Sequence, residues 1–251
     1  MRSLSGLFLL LALLAAGSAK AANPHALWQI VHQRCVPNEQ LHHLPAPCAV
    51  VDVKGGFAVL KDIVGVEQFL LIPTAPIGGI ESPELLRPDA PNYFAAAWDQ
   101  IPLVEARLHH VLPREDVALA INSAYGRSQD QFHIHIDCIS RPVHDALAAE
   151  SGRIGARWTD LPTPLAGEYY RAMWIPGERL GSVNPFHLLA ASLRDPGRQM
   201  GRHTLVLVGA YLPSRGFILL DGQLDLLRLD RASGEELQDH SCAILGLPAA
   251  R

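Results

Sequence analysis

The segment from Gln131 to Asp137 constrains the fold most strongly, because its polar and apolar residues alternate without a break. Successive side chains of a β-strand point to opposite faces, so the apolar set is predicted to face a core: Phe132, Ile134 and Ile136. The polar set is predicted to share the other face, with neighbours about 6 to 7 Å apart: Gln131, His133 and His135. We therefore expect a strand over 131–138 that presents two histidines side by side.

The sequence before this strand predicts an α+β plan of helix, hairpin, helix, hairpin. The expected elements are a helix from Asn23 to about Cys35, a loop over 36–48, strands over 56–60 and 69–72, a helix after Asn92 that Pro102 interrupts, and a strand over 117–121. The residues of this half, 22–150, are expected to carry the chemistry.

The C-terminal half, residues 151–251, is predicted to be a second α+β unit packed on the same core. Its expected elements are strands over 169–175, 203–208 and 216–220, a short helix over 184–189 and a final helix over 235–244. This order resembles a faint repeat of the first half without its histidines. A pseudo-twofold arrangement of two similar halves is therefore one prediction for the fold.

Residues 1–21 have the pattern of a secretory signal peptide. A positive start at Arg2 precedes the apolar run from Leu7 to Ala16, and small residues at Ala19 and Ala21 frame a cleavage site. An uncleaved membrane anchor is the alternative. Either reading places the rest of the chain in the periplasm or at the periplasmic face of the inner membrane.

The four cysteines fit an oxidising compartment, where an even number indicates two disulfides. Three pairings are possible. The closeness of Cys35 and Cys48 in sequence favours that pair, which leaves Cys138 for Cys242. Free buried thiols are the alternative. The formal charge of -4 and the lack of a Lys/Arg-rich run argue against nucleic-acid binding.

Adjacent histidines on one strand face allow three interpretations. They could bind a metal with a third ligand from elsewhere, since Asp137 is expected on the opposite face, or be a half-buried structural pair. They could also serve phosphoryl chemistry, in which one neutral imidazole attacks phosphorus and its neighbour donates to phosphoryl oxygens. His240, two residues before Cys242, is expected to be structural.

The alternating segment resembles the histidine-triad (HIT) family, in which three histidines alternate with apolar residues on one strand. The resemblance implies an antiparallel sheet with flanking helices. It also implies that His133, at the middle position, forms a nucleotidyl-histidine intermediate and that His135, at the last position, assists. Gln131 stands at the first position, where the family has histidine; it can bind substrate by hydrogen bonds but carries no positive charge.

Other positions extend the resemblance. It implies that Asn122 and Ser128 contact phosphate and that Asp62 binds the ribose hydroxyls. Asp62 is otherwise a turn residue. Lys61 and Arg127 are candidates to stabilise the phosphoryl charge, although such side chains are often only solvated.

A longer set of motifs resembles one family, the CDP-diacylglycerol pyrophosphatases: Leu60-Lys61-Asp62, Glu81-Ser82-Pro83, Pro91-Asn92-Tyr93-Phe94, Ala120-Ile121-Asn122-Ser123, Gly126-Arg127, Phe132-His133-Ile134-His135-Ile136 and Arg231-Ala232-Ser233. The resemblance implies hydrolysis of CDP-diacylglycerol to CMP and phosphatidate, with a membrane surface as substrate source and no cofactor or metal. The alternatives are HIT-type chemistry on another nucleotide diester and a non-catalytic periplasmic metal-binding protein.

Overall fold

The computed structural model describes residues 23–211 and 214–246, so the predicted signal segment over 1–21 lies outside the described residues. Within them, one antiparallel sheet contains these strands: β1 Val50–Asp52, β2 Phe57–Lys61, β3 Phe69–Pro73, β4 Val117–Ile121, β5 Ile134–Cys138, β6 Thr159–Asp160, β7 Tyr170–Pro176, β8 His203–Ala210 and β9 Gly216–Gln223. Their order across the sheet is β1-β2-β3-β5-β4-β8-β9-β7-β6. The predicted antiparallel α+β architecture is confirmed at this level.

The α-helices are α1 Ala26–Ile30, α2 Val36–His42, α3 Tyr93–Trp98, α4 Ile101–Leu108, α5 Arg141–Glu150, α6 Pro185–Ser192 and α7 Pro196–Gln199. Asn92 caps α3 through its side chain, as the sequence predicted. The predicted interruption exists, but α3 already ends at Trp98, and Pro102 lies in the first turn of α4. No helix in the described part of the chain has both the length and the apolar character needed to cross a membrane.

The first helix is longer than predicted. A π-helical turn, Val31–Cys35, joins α1 to α2, so helical structure continues to His42 instead of ending near Cys35. Pro37 lies in the first turn of α2, immediately after the π-helical turn. A helix tolerates proline where its missing N–H interrupts no regular hydrogen bond, and π-turns are such places. The loop predicted over 36–48 is therefore confined to its last residues.

Two predicted boundaries differ in the structure: the start of the histidine-bearing strand β5 and the end of its neighbour β3. The strand starts at Ile134 rather than at Gln131, because the backbone N–H of Phe132 donates to Ile77 in a loop. The neighbouring strand reaches Pro73 there, which has no N–H for a ladder. The short strands β1 and β6 were not predicted.

The helix predicted over 235–244 is absent from the described C-terminal segment, which contains only short 3₁₀ turns at Gly234–Leu237 and Ala243–Leu245. Side-chain hydrogen bonds hold this segment along the sheet instead. The amide of Gln238 donates to the carbonyl oxygens of Ala118 and His135. Asp239 accepts from the backbone N–H of Ala243, which favours a turn.

The two faces of the sheet are covered differently. Helices α3 and α4 pack over β3, β4 and β5 and bury Ile134 and Ile136 in the larger core. On the opposite face, the N-terminal helices pack on β2 and β3 in a smaller core that contains Leu70. Leu70 pairs with His135, and paired residues share a face. The histidines therefore lie between the N-terminal helices and the C-terminal segment.

The described residues include both favoured disulfides. Cys35–Cys48 closes 13 residues inside the smaller core, and Cys138–Cys242 joins β5 to the C-terminal segment across 104 residues. The second bridge therefore fixes the C-terminal segment beside the strand that carries the histidines.

Candidate active site

His133 is buried and oriented by the backbone beside it. Its Nδ1 lies 2.7 Å from the carbonyl oxygen of Gln131, which can only accept, so Nδ1 carries the proton. Nε2 is then the atom with a free lone pair. Burial lowers the pKa of His133, against the raising effects of the Gln131 hydrogen bond and the nearby Glu235 and Asp62 charges. A neutral imidazole with an available Nε2 is the form required of a nucleophile.

His135 is oriented in the opposite sense. The ring centroids of His133 and His135 are 4.9 Å apart. Gln68 Nε2 lies 2.9 Å from Nδ1 of His135 and donates to it, which leaves the proton on Nε2. That Nε2 lies 3.4 Å from Glu235 Oε2. Burial lowers the pKa of His135 well below its usual value, and His133 and His240 add to the effect.

Side-chain nitrogens of three residues lie close to the Glu235 carboxylate. Asn122 Nδ2 donates to Oε2 at 3.0 Å, and the Asn122 side-chain oxygen accepts from the Glu235 backbone N–H at 3.1 Å. His240 Nε2 lies 3.6 Å from Oε1. Three nitrogen groups therefore converge on one small anion, and we call Asn122, His135 and His240 the anion cradle.

His240 is held by a fully buried carboxylate. Its Nδ1 lies 2.6 Å from Oδ2 of Asp137, whose Oδ1 accepts from the Cys138 N–H at 2.8 Å. The hydrogen bond to Asp137 raises the pKa of His240, which favours the imidazolium. The chain of Gly65 also touches His240: a side-chain carbon at Gly65 would lie 2.9 Å from its Cβ. The structure thus places His240 beside the candidate site rather than in a purely structural setting.

Asn122 and Gln131, both predicted to bind substrate, have different contacts in the structure. Asn122 is part of the anion cradle. Gln131 directs its side-chain nitrogen to the carbonyl oxygens of Pro73 and Ala75, at 3.2 and 3.0 Å. Its backbone, rather than its side chain, contacts His133.

The other predicted residues surround the centre. Lys61 Nζ donates to the carbonyls of Asp62 and Gly65, and burial lowers its pKa. Asp62 accepts from the Val64 N–H, as a turn residue would, and its charge reaches His133. Arg127 Nη1 lies 2.7 Å from Glu81 Oε1.

Ser128 lies on an exposed bend. Its side chain has no hydrogen-bond partner among the described residues. The structure therefore brings Asn122 to Glu235, the carboxylate beside His135, and leaves Ser128 at the periphery.

Four residues of the cluster were not predicted as site residues: Gln68, Asp137, Glu235 and His240. The expectation that Asp137 lies on the face opposite the histidines was wrong: the alternation of β5 continues through position 137, and Asp137 contacts His240 on the histidine face. Glu235 and His240 approach from a segment about a hundred residues away, which local patterns do not reveal.

A separate cavity of about 820 Å³ opens in the C-terminal half. Its lining includes His203, Asp221 and Arg171, which form a chain with His203 Nδ1 2.8 Å and Arg171 Nε 2.7 Å from the Asp221 carboxylate. The cavity shares no lining residue with the cluster around His133.

One grouping of potential metal ligands occurs within residues 23–211 and 214–246, formed by Asp137, Cys138 and Cys242. The two sulfurs are joined in a disulfide, so neither is the thiolate that a metal requires. This grouping therefore offers a single carboxylate.

Comparison with known proteins identifies a family. The model of the family described as CDP-diacylglycerol pyrophosphatase matches residues 22–246. A CDP-diacylglycerol pyrophosphatase of Yersinia pestis is 46% identical over 240 residues, which cover 94% of this chain and 92% of that protein.

Proposed function

The chain belongs to the CDP-diacylglycerol pyrophosphatase family and hydrolyses CDP-diacylglycerol, and we propose that His133 is the nucleophile of this reaction. Cleavage of the phosphoric anhydride gives CMP and phosphatidate. The observation that carries the proposal is the 2.7 Å contact between His133 Nδ1 and the Gln131 carbonyl oxygen, which leaves Nε2 free to attack.

In the first step, the Nε2 lone pair forms a bond to the phosphorus of the cytidylyl group. The bond from that phosphorus to the bridging oxygen breaks, and phosphatidate leaves with the electron pair. The imidazole becomes a cation in the intermediate. The Gln131 carbonyl, which accepts from Nδ1–H, stabilises that cation.

In the second step, water attacks the same phosphorus. The phosphorus–nitrogen bond breaks, its electron pair returns to Nε2, and CMP leaves while the proton of the water passes to solvent. His133 is neutral again, so the cycle closes without a further reactant.

The anion cradle supports a role in holding the substrate phosphates. Its nitrogen groups already surround the Glu235 carboxylate, which is an anion with oxygen atoms spaced much as in a phosphate. A phosphate that takes this place would contact the Asn122 amide, the His135 N–H and the imidazolium of His240. His240 would thereby supply the positive charge that Gln131, at the first triad position, cannot carry. Glu235 must then move away, since two anions cannot share these donors.

Five further residues around this centre are proposed to contact the substrate: Lys61, Asp62, Arg127, Ser128 and Gln131. Asp62 would bind the ribose hydroxyls, and Lys61 and Arg127 would add positive charge near the phosphates. Ser128 and Gln131 would contact substrate only after local rearrangement, because Ser128 is exposed and the Gln131 side chain is engaged with Pro73 and Ala75.

The test is CMP release from CDP-diacylglycerol, with EDTA present, by the parent protein and by His133→Ala. We expect release by the parent and a loss of at least about a thousandfold in the variant, since nucleophile removal commonly has effects of this order. Brief reaction with cytidine-labelled substrate, followed by alkaline denaturation, should also leave label on the parent protein. Turnover by His133→Ala at the parent rate would refute the assignment.

The sheet order supports a HIT-like unit that is repeated about a pseudo-twofold axis. Counted from one end, β2, β3, β5 and β4 are neighbours; counted from the other, β6, β7, β9 and β8 are neighbours. Each half therefore has the chain order first, second, fourth, third. Helices follow the second strand in both halves, α3 with α4 and α6 with α7. The axis would pass between β4 and β8, and the halves would correspond to residues 22–150 and 151–251.

Export to the periplasm, or to the periplasmic face of the inner membrane, is part of the same proposal. The pattern over 1–21 is that of a secretory signal, and the two disulfides suit an oxidising compartment. The membrane surface there would be the source of the lipid substrate.

A further inference from the structure

The turn between β2 and β3 exposes apolar side chains, where turns usually carry polar ones. Ile63 is 99% exposed, Val64 is 46% exposed and Val66 is 50% exposed. We call these three residues the apolar tip. They follow one another with only Gly65 between them, so they form a local patch rather than the scattered single exposures that most proteins show.

The same turn contacts the candidate active site on its inner side. Gln68, at the end of the turn, donates to His135 at 2.9 Å. Gly65, which lies between Val64 and Val66, packs so closely against His240 that a side-chain carbon at Gly65 would lie 2.9 Å from the His240 carbonyl oxygen. The apolar tip is therefore joined directly to the residues that would hold the substrate phosphates.

Two cationic side chains hold the base of the turn. Lys61 Nζ donates to the carbonyl oxygen of Gly65 at 3.0 Å, and Arg107 Nε donates to that of Val66 at 2.6 Å. Apolar side chains flanked by basic ones are typical of segments that enter the interface of an anionic membrane.

We propose that the apolar tip enters the lipid surface that holds CDP-diacylglycerol. This inference rests on the proposed function, because it takes the substrate to be bound beside the turn. The acyl chains of the substrate lie in the bilayer and its pyrophosphate lies at headgroup level, so the site must approach the interface closely. Transfer of the apolar side chains of the tip from water into the membrane interface lowers the free energy. The turn would then bring the anion cradle to the depth of the phosphates.

The first test places a reporter in the tip of the full-length protein. Vesicles of phosphatidylcholine and phosphatidylglycerol are added to Ile63→Trp and, as a control, to Leu41→Trp. Leu41 lies on α2 and is 74% exposed. After subtraction of the parent spectrum, we expect the emission of Ile63→Trp to shift to the blue and that of Leu41→Trp to stay unchanged. The control separates the tip from binding by any other part of the chain.

Two outcomes of this test overturn the inference. One is the absence of a shift at position 63 with vesicles present. The other is an emission at position 63 that is already blue-shifted without vesicles, because the tip would then be covered by another part of this chain.

The second test separates the tip from the chemistry. Serine replaces all three residues of the tip, and turnover is measured on long-chain CDP-diacylglycerol in vesicles and on a water-soluble short-chain analogue. We expect about tenfold slower turnover on vesicles, because burial of three apolar side chains is lost, and unchanged turnover on the analogue. Equal losses on both substrates would mean a structural role and refute the inference. Failure of the proposed function has a different signature, since His133→Ala would then keep turnover on both substrates.

Discussion

At the scale of single residues, the unusual feature is a carboxylate in the place that we propose for the substrate phosphates. Glu235 lies 3.0 Å from Asn122 Nδ2, 3.4 Å from His135 Nε2 and 3.6 Å from His240 Nε2. The same charge opposes phosphate. The proposed site therefore requires that substrate displace Glu235 from the anion cradle.

Replacement of Glu235 by glutamine should strengthen product binding. The neutral amide still accepts from Asn122 but no longer repels phosphate, and we expect inhibition by CMP to become about tenfold tighter. The inhibition constant measures this directly. Glu84→Gln removes the same charge at an exposed position away from the cluster and should leave the constant unchanged. Equal constants for parent and Glu235→Gln would contradict the anion cradle.

His240 should give product binding a dependence on pH. Its pKa is raised by Asp137, so the imidazolium is present below that raised pKa and is lost as pH increases through it. CMP should therefore bind more weakly as pH rises across this range. The charged and titratable groups around His240 are Asp62, Asp137, Glu235, Asp239 and His135.

His240→Gln should bind CMP about tenfold more weakly at mildly acidic pH, because a charge-assisted contact is lost, and the dependence on pH should flatten. His144→Gln is the matched control, since His144 pairs with Asp145 on α5 at 2.9 Å. A purely structural role would lower stability but keep the pH profile of the folded variant, and that result would remove His240 from the site.

The sequence predicted the pair His133 and His135 but not the contact of His240 with Asp137. Alternation over 131–137 is a local property, so it placed His133 and His135 on one face. The contact between His240 and Asp137 spans 103 positions and depends on the path of the C-terminal segment. That segment was expected to be helical, and no periodic pattern indicates which side chains a turn will bring to a sheet.

At the scale of elements, a short helix depends on hydrogen bonds to the backbone N–H and C=O groups at its ends, which have no partner within the helix. Helix α3 has six residues, and the Asn92 side chain accepts from the Ala95 N–H at its start while donating to the Val183 carbonyl at 2.8 Å. The sequence predicted this cap because asparagine precedes an apolar, helix-period run. It did not predict the strands β1 and β6, which have three and two residues and too few side chains to establish a period.

Asn92→Ala should lower the free energy of unfolding by roughly 1–2 kcal/mol, since it removes both the cap and a hydrogen bond to the other half of the chain. Denaturant unfolding followed by circular dichroism measures the change. Gln100→Ala is the control, because Gln100 precedes α4 and makes no capping hydrogen bond. A loss of the same size in the control would show that the cap contributes nothing particular.

At the scale of the whole molecule, the two disulfides have different tasks. Cys35–Cys48 closes a short loop within the smaller core, whereas Cys138–Cys242 fastens a distant segment to β5. The second bridge lies next to Asp137 and two residues from His240, so it combines stability with placement of the site. Sequence proximity favoured these pairs, but the purpose of the long bridge became clear only from the position of the segment.

Removal of the long bridge should cost more than removal of the short one. On the chain-entropy estimate, Cys138→Ala with Cys242→Ala loses roughly 4–5 kcal/mol of unfolding free energy, and Cys35→Ala with Cys48→Ala loses about 3 kcal/mol. Denaturant midpoints under oxidising conditions compare them. The long-bridge variant should also bind CMP more weakly, because His240 is no longer fixed. A larger loss in the short-bridge variant would contradict this ranking.

The strand order also determines what lies at the two edges of the sheet. The outermost strands are β1, with three residues, and β6, with two. An edge strand has unpaired N–H and C=O groups that can hydrogen-bond to a strand of another chain, and a long, flat edge is a template for aggregation. In this sheet the long strands lie in the interior and pair on both sides, and the edge strands have only two or three residues. The molecule thereby has little exposed backbone to which a second molecule could add.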